Sequence, residues 1–119
     1  MTIEVTLTAN GDVMLSPETK VKKRNGQTDH TITWIQGSPT EVFTFDPAVG
    51  LVFTDPEAPF SKIKIKDDKI TAKDTIKDGS GTLSWHYVIT VLDSNGNKHS
   101  SEGATPSATG GRGVIRNEG

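Results

Sequence analysis

The sequence predicts an all-β fold, a two-layer β-sandwich of immunoglobulin-like or fibronectin-like character with about eight or nine strands. Three observations lead there. In the run 82–92, Leu83, Trp85, Tyr87, Ile89 and Val91 fall on one face, and Ser84, His86, Val88, Thr90 and Leu92 on the other. Such β-branched and aromatic alternation marks a half-buried to fully buried strand. Turn formers bracket it, Asp78-Gly79-Ser80-Gly81 before and Asp93-Ser94-Asn95-Gly96-Asn97 after. Turn signals recur at roughly ten-residue spacing along the chain, the mark of a sandwich or barrel, and no stretch carries a helical period.

The elements follow in order. Ile3, Val5 and Leu7 alternate with Glu4, Thr6 and Thr8, an opening strand with one wet face. Asn10-Gly11-Asp12 predicts a hairpin turn, because Asn and Gly tolerate positive φ. Residues 13–15 pair back briefly until Ser16-Pro17 breaks the ladder. Residues 18–24 form a polar edge strand whose Lys22, Lys23 and Arg24 either discourage edge pairing or bind an anion. Asn25-Gly26 turns the chain into a strand over 28–35, with Ile32 and Trp34 as core anchors, ended by Gly37-Ser38-Pro39. Phe43 and Phe45 face one way on a short strand over 41–45. The stretch 46–59 is irregular, with Leu51, Val52 and Phe53 packing inward.

Lys62-Ile63-Lys64-Ile65-Lys66 then alternates, isoleucines in and lysines out; Asp67-Asp68 turns; Ile70, Ala72 and Ile76 continue on a partner strand. After the long strand, Asn95-Gly96 turns the chain again. Residues 99–111 are small and polar and predict a flexible loop. Val114 and Ile115 beyond it predict a short strand or an anchoring hook, so that 112–119 returns to the body as a docking C-terminal tail. All of 1–119 makes a single domain.

Composition narrows the function classes. A formal charge of −2, with 13 basic and 15 acidic residues intermixed, argues against a nucleic-acid surface. The absence of cysteine excludes thiol catalysis, disulfides and cysteine-ligated metals. No window is apolar enough to span a membrane, and Met1-Thr2-Ile3-Glu4-Val5-Thr6-Leu7 is no signal peptide, so a soluble cytoplasmic protein is expected. Seven aromatics, most of them needed inside, leave little for a carbohydrate-binding face.

Candidate chemistry is sparse. His30, His86 and His99 are not spaced as metal pairs, and neither a metal nor a cofactor is expected. Asp46-Pro47 and Asp55-Pro56 are turn formers that also carry a reactive bond, since an aspartyl side chain can attack its own carbonyl and expel proline. The Asn-Gly pairs at Asn10, Asn25 and Asn95 are hairpin corners that also permit deamidation. Lys98 follows the turn after the long strand; beside buried aromatics a desolvated lysine becomes nucleophilic, whereas on the surface it is inert. No Gly-x-Ser-x-Gly, phosphate loop or His-Glu-x-x-His is present.

The tail Arg112-Gly113-Val114-Ile115-Arg116-Asn117-Glu118-Gly119 resembles the C-terminal signature of a bacterial group, the DP-EP family, whose members end in something close to Asp-Pro-x-Ile-x-Asn-x-Pro. The match lies at Ile115 and Asn117, with Val114 and Glu118 compatible. The resemblance implies a β-sandwich with endopeptidase activity directed at itself: a cut after the tail aspartate and capture of the acyl group by a lysine. It makes Lys98 the capturing amine, Lys98, Asn117 and His99 the candidate catalytic set, and Arg112 and Gly113 the cleavage-site equivalent. The chain departs from the pattern there, because Arg112-Gly113 stands for Asp-Pro and Gly119 for the closing Pro. Arginine forms no cyclic acyl intermediate, so self-cleavage is expected to be impaired. The alternative is a non-catalytic binding or self-assembling module whose edges and Lys62–Lys66 face meet partners or copies of the chain; the expected partner is itself, with no nucleic acid and no membrane.

Overall fold

The computed structural model describes residues 2–16, 19–22, 30–55, 58–75, 83–101 and 113–118. Eleven strands are described: β1 (Thr2–Leu7), β2 (Val13–Ser16), β3 (Thr19–Lys22), β4 (His30–Gln36), β5 (Phe43–Phe45), β6 (Leu51–Phe53), β7 (Phe60–Ile65), β8 (Lys69–Asp74), β9 (Leu83–Asp93), β10 (Lys98–Ser100) and β11 (Gly113–Glu118). They form two packed sheets, so the chain is an all-β sandwich. The first sheet has five strands in the order β2-β1-β4-β8-β7. The second has six, all but β3 paired directly with β9.

Strand β9 organises the second sheet because its two edges carry different partners. The backbone groups of His86 and Thr90 bond to Thr54, Asp46 and Gly50, whereas the Ile89 N–H turns the other way, to Ser101 Oγ. One edge therefore carries β5 and then β6, broken by the turn 46–50; the other carries β10 and then β11. Each edge partner is a strand interrupted once. These interruptions raise the count above the eight or nine strands expected, because the polar Lys98-His99-Ser100 carries no apolar alternation. Two pairings are parallel, β1 with β4 and β11 with β3. No helix among the described residues is long and apolar enough to cross a membrane.

The core follows the period-two pattern. Ile3, Val5, Leu7, Ile32, Trp34, Ile70 and Ala72 from the first sheet meet Phe43, Phe45, Leu51, Tyr87, Ile89, Val91 and Ile115 from the second, all buried. Trp34 and Tyr87 meet edge to face with centroids 5.3 Å apart, a geometry that adds about 1 kcal/mol to area burial.

Three expectations change. In β7 the isoleucine-in, lysine-out pattern fails: a bulge between Ser61 and Lys64, with φ of 52° at Lys62, leaves Ile63 42% exposed. Val52 points to solvent, 43% exposed, because it stands on the outer face of β6 between Leu51 and Phe53. His99 and Ser100, expected in the flexible loop, are in β10, and Ser101 is fully buried. The returning tail is β11 itself: Gly113–Glu118 is an internal strand between β9 and β3. The expectations at Asn25-Gly26, Ile76 and 102–112 lie outside the described residues.

Candidate functional site

The candidate catalytic residues fall at different places along β9. Lys98 lies opposite Leu92, and Asn117 lies opposite Leu83 on the same edge, nine positions or about 30 Å of extended chain away. Lys98 turns from the tail rather than toward it. Its Nζ crosses β9 to Asp46 on the opposite edge, 3.3 Å from Oδ2. The lysine side chain is 66% exposed, so it lacks the desolvation that would make it nucleophilic, while the Asp46 carboxylate is only 5% exposed.

Asp46 is engaged both by its own turn and by β9. Its Oδ1 accepts the N–H groups of Ala48 and Val49 at 2.8 and 3.0 Å, its carbonyl accepts Gly50 N–H, and its N–H donates to Thr90 O. The Val49 and Ala48 N–H groups, and then Lys98, hold its carboxyl below the ordinary value of 3.8 against the opposing effect of burial. An ionised carboxylate tied to two amides is poorly placed to attack its own carbonyl, so Asp46-Pro47 acts here as a turn. Asp55-Pro56 is similar at its acidic residue: Asp55 Oδ2 accepts the His86 N–H at 2.6 Å and meets His86 Nδ1 at 2.8 Å, closing the end of the β6–β9 ladder.

His99 has a different setting. Its Nε2 lies 2.8 Å from Asp93 Oδ2 at one end of the sandwich. The Asp93 carboxyl is held below its ordinary value by His99 and by the Asn97 and Asn95 N–H groups, against burial. Two matching turns meet there. In 8–12, Gly11 N–H donates to Thr8 O, Thr8 N–H to Asp12 O, and Asp12 N–H to Thr8 Oγ1. In 93–97, Gly96 N–H donates to Asp93 O, Asp93 N–H to Asn97 O, and Asn97 N–H to Asp93 Oδ1. Both close on a glycine at positive φ, 87° at Gly11 and 80° at Gly96, as three-residue hairpin loops require. The His99 ring sits against the first turn: a Cβ built on Gly11 would lie 3.1 Å from Nδ1.

The third wall is the segment 37–42, stitched to β1 by Gly37 N–H to Val5 O, Glu41 N–H to Leu7 O, and Leu7 N–H to Thr40 Oγ1. Together these segments enclose a cleft of about 440 Å³ whose lining includes Leu7, Asn10, Glu41, Val42, Asn95 and His99. Its mix of amide, carboxylate, imidazole and apolar groups suits recognition of a small polar molecule. Among the described residues that line it, none is a nucleophile hydrogen-bonded to a base. Among the described residues no group of three or more His, Cys, Asp or Glu could hold a metal ion.

The sequence-nominated set is therefore not assembled: Lys98 and His99 are each paired with a carboxylate, Asn117 stands near the far end of β9, and Gly113 lies in β11 opposite Tyr87. Arg112 lies outside the described residues. The partners Asp46, Asp55 and Asp93 were missed, although one signal for Asp93 was available. A hairpin closing on Asn95-Gly96 sets His99 opposite Val91, and so on the same face as Asp93. No protein-family model matches the chain, and no curated protein is significantly similar to it.

Proposed function

We propose that this chain is a non-catalytic recognition module on a DP-EP-like sandwich: the scaffold is kept, self-cleavage is lost, and a small polar ligand is held in the loop-end cleft beside His99. The placement of Lys98 carries the proposal: its amine points to Asp46 on the opposite edge of β9, away from Gly113, which lies five positions along the strand opposite Tyr87. The 440 Å³ cleft between the twin turns supplies the positive half. An immunoglobulin-like ancestry and a cytoplasmic location belong to the same proposal; Trp34 at the centre of two packed sheets supports the first.

Two measurements test it. Intact mass under denaturing conditions, on aged protein, is expected to give one species at the mass of the sequence. Fragments divided near residue 112, or a mass deficit from a Lys98 cross-link, would overturn the non-catalytic half. Amide chemical shifts recorded against a library of small polar compounds are expected to move at 8–11, 41–42, 93–95 and 99. Ligands that move only other amides, or none at all, would overturn the cleft.

A self-assembling module is the second reading, favoured by one observation. Three of the four large apolar side chains exposed among the described residues, Val42, Val49 and Val52, lie within or beside β5 and β6. Sizing across concentrations decides it: a mass that stays that of one chain removes this reading.

A further inference from the structure

The outer face of the five-stranded sheet carries threonine and lysine in register. Pairing across four strands aligns Thr2, Thr33, Thr71 and Lys64 in one row, and Thr31, Lys73 and Ser61 in the next. Between these rows the β7–β8 ladder is broken. Ser61 pairs with Lys73 and Lys64 with Thr71, so Lys62 and Ile63 share the place opposite Ala72. Lys62 takes a φ of 52°, a left-handed conformation that disfavours every residue with a Cβ and belongs to glycine or asparagine.

Beside this bulge is a depression of about 220 Å³ lined by Thr31, Lys62, Lys64, Thr71, Ala72 and Lys73. Three lysines and two threonines thus line it, and no Asp or Glu among the described residues does, in a chain whose formal charge is −2. Bulges re-aim side chains next to binding sites, and a strained backbone conformation is retained where it serves one. A lysine where glycine would be relaxed is such a case: the bulge brings Lys62 to the same depression as Lys64 and Lys73.

We propose that this depression binds a tetrahedral oxyanion, a phosphate or sulfate group, either free or as a monoester. The lysines Lys62 and Lys64 supply the charge, and the hydroxyls of Thr31 and Thr71 donate to the oxyanion oxygens. The site lies on the outer face of the first sheet and is independent of the loop-end cleft.

Amide chemical shifts of the full chain, titrated with sodium phosphate and separately with O-phosphoserine at constant ionic strength, test the site. Saturable shifts are expected at residues 31, 62, 64, 71 and 73. Tighter binding of O-phosphoserine would identify an esterified ligand, and tighter binding of inorganic phosphate a free one. Lys64→Gln is expected to weaken binding about three- to fivefold. Lys69→Gln, an exposed lysine outside the depression, controls for bulk charge and is expected to leave affinity unchanged. Lys62→Gly is expected to raise the thermal midpoint while weakening binding, because it removes strain and charge together. The site is overturned if neither probe saturates, if Lys69→Gln loses as much as Lys64→Gln, or if Lys62→Gly binds as well as the parent chain.

Discussion

The ring of Tyr87 lies so close over Gly113 that a methyl carbon built at position 113 would stand 2.1 Å from Tyr87 Cζ. The glycine at the start of β11 is therefore a packing requirement: only a residue without Cβ lets the tail backbone pass beneath this ring. Gly113→Ala is expected to destabilise by about 1–3 kcal/mol through overpacking, measured by denaturant unfolding. Trimming the ring with Tyr87→Leu should reduce the cost of Gly113→Ala, giving clear non-additivity in the double variant. Additive effects would mean that the ring and the glycine are not coupled. A proline placed at 113 would likewise collide with the Tyr87 ring.

Strand β11 also carries load through Ile115, which is fully buried between the sheets. Ile115→Ala is expected to cost about 2–5 kcal/mol. Ending the chain after residue 112 removes the strand that joins β3 to β9, so cooperative unfolding should be lost. A synthetic peptide covering 113–119, added in excess, should restore it. A truncated chain that unfolds like the parent would show that the tail is dispensable.

The parts of the fold that were legible in the sequence are those set by local periodicity and turn chemistry. Ile3, Val5, Trp34, Tyr87 and Ile89 are buried as alternation requires, and Asn10-Gly11 and Asn95-Gly96 close turns as positive φ requires. The bulge in β7 was hidden because Lys62-Ile63-Lys64 alternates perfectly on paper; only the pairing with β8 reveals the extra residue. The candidate site was less legible, for the same reason. Lys98 meets Asp46 across β9, a partner 52 positions away that no spacing marks. The cleft exists because two turns at opposite ends of the sequence come to the same end of the sandwich.

Asp46 and Asp93 make acid stability a measurable consequence of these turns. Both carboxyls lie below 3.8 in the folded chain, Asp46 chiefly through the Val49 and Ala48 N–H groups, Asp93 chiefly through His99. A depressed carboxyl contributes stability that is present above its unfolded value and lost as pH falls through its folded one. Denaturant midpoints should hold on the neutral side and fall below about pH 4. Asp46→Asn with Asp93→Asn keeps acceptors for the turn amides but removes the charge, so the double variant should show a shallower acid fall. Parallel curves below that pH would remove these two groups as its cause.

Tyr87 makes the opposite, alkaline prediction. Burial pushes its hydroxyl up from 10.0 to about 12, with the Trp34 indole opposing the shift. Tyr87 is the single tyrosine of the chain, so phenolate absorbance reports on it alone. An acid whose folded value is raised contributes stability that is complete below pH 10 and is lost as pH rises toward 12, because the unfolded chain releases its proton first. Two pH units correspond to about 3 kcal/mol. Phenolate absorbance in the native chain should therefore stay flat through pH 10 and rise only together with loss of β-sheet circular dichroism. Reversible ionisation near pH 10 with the sheet intact would show that the hydroxyl reaches solvent, and would remove the tight Tyr87–Gly113 contact with it.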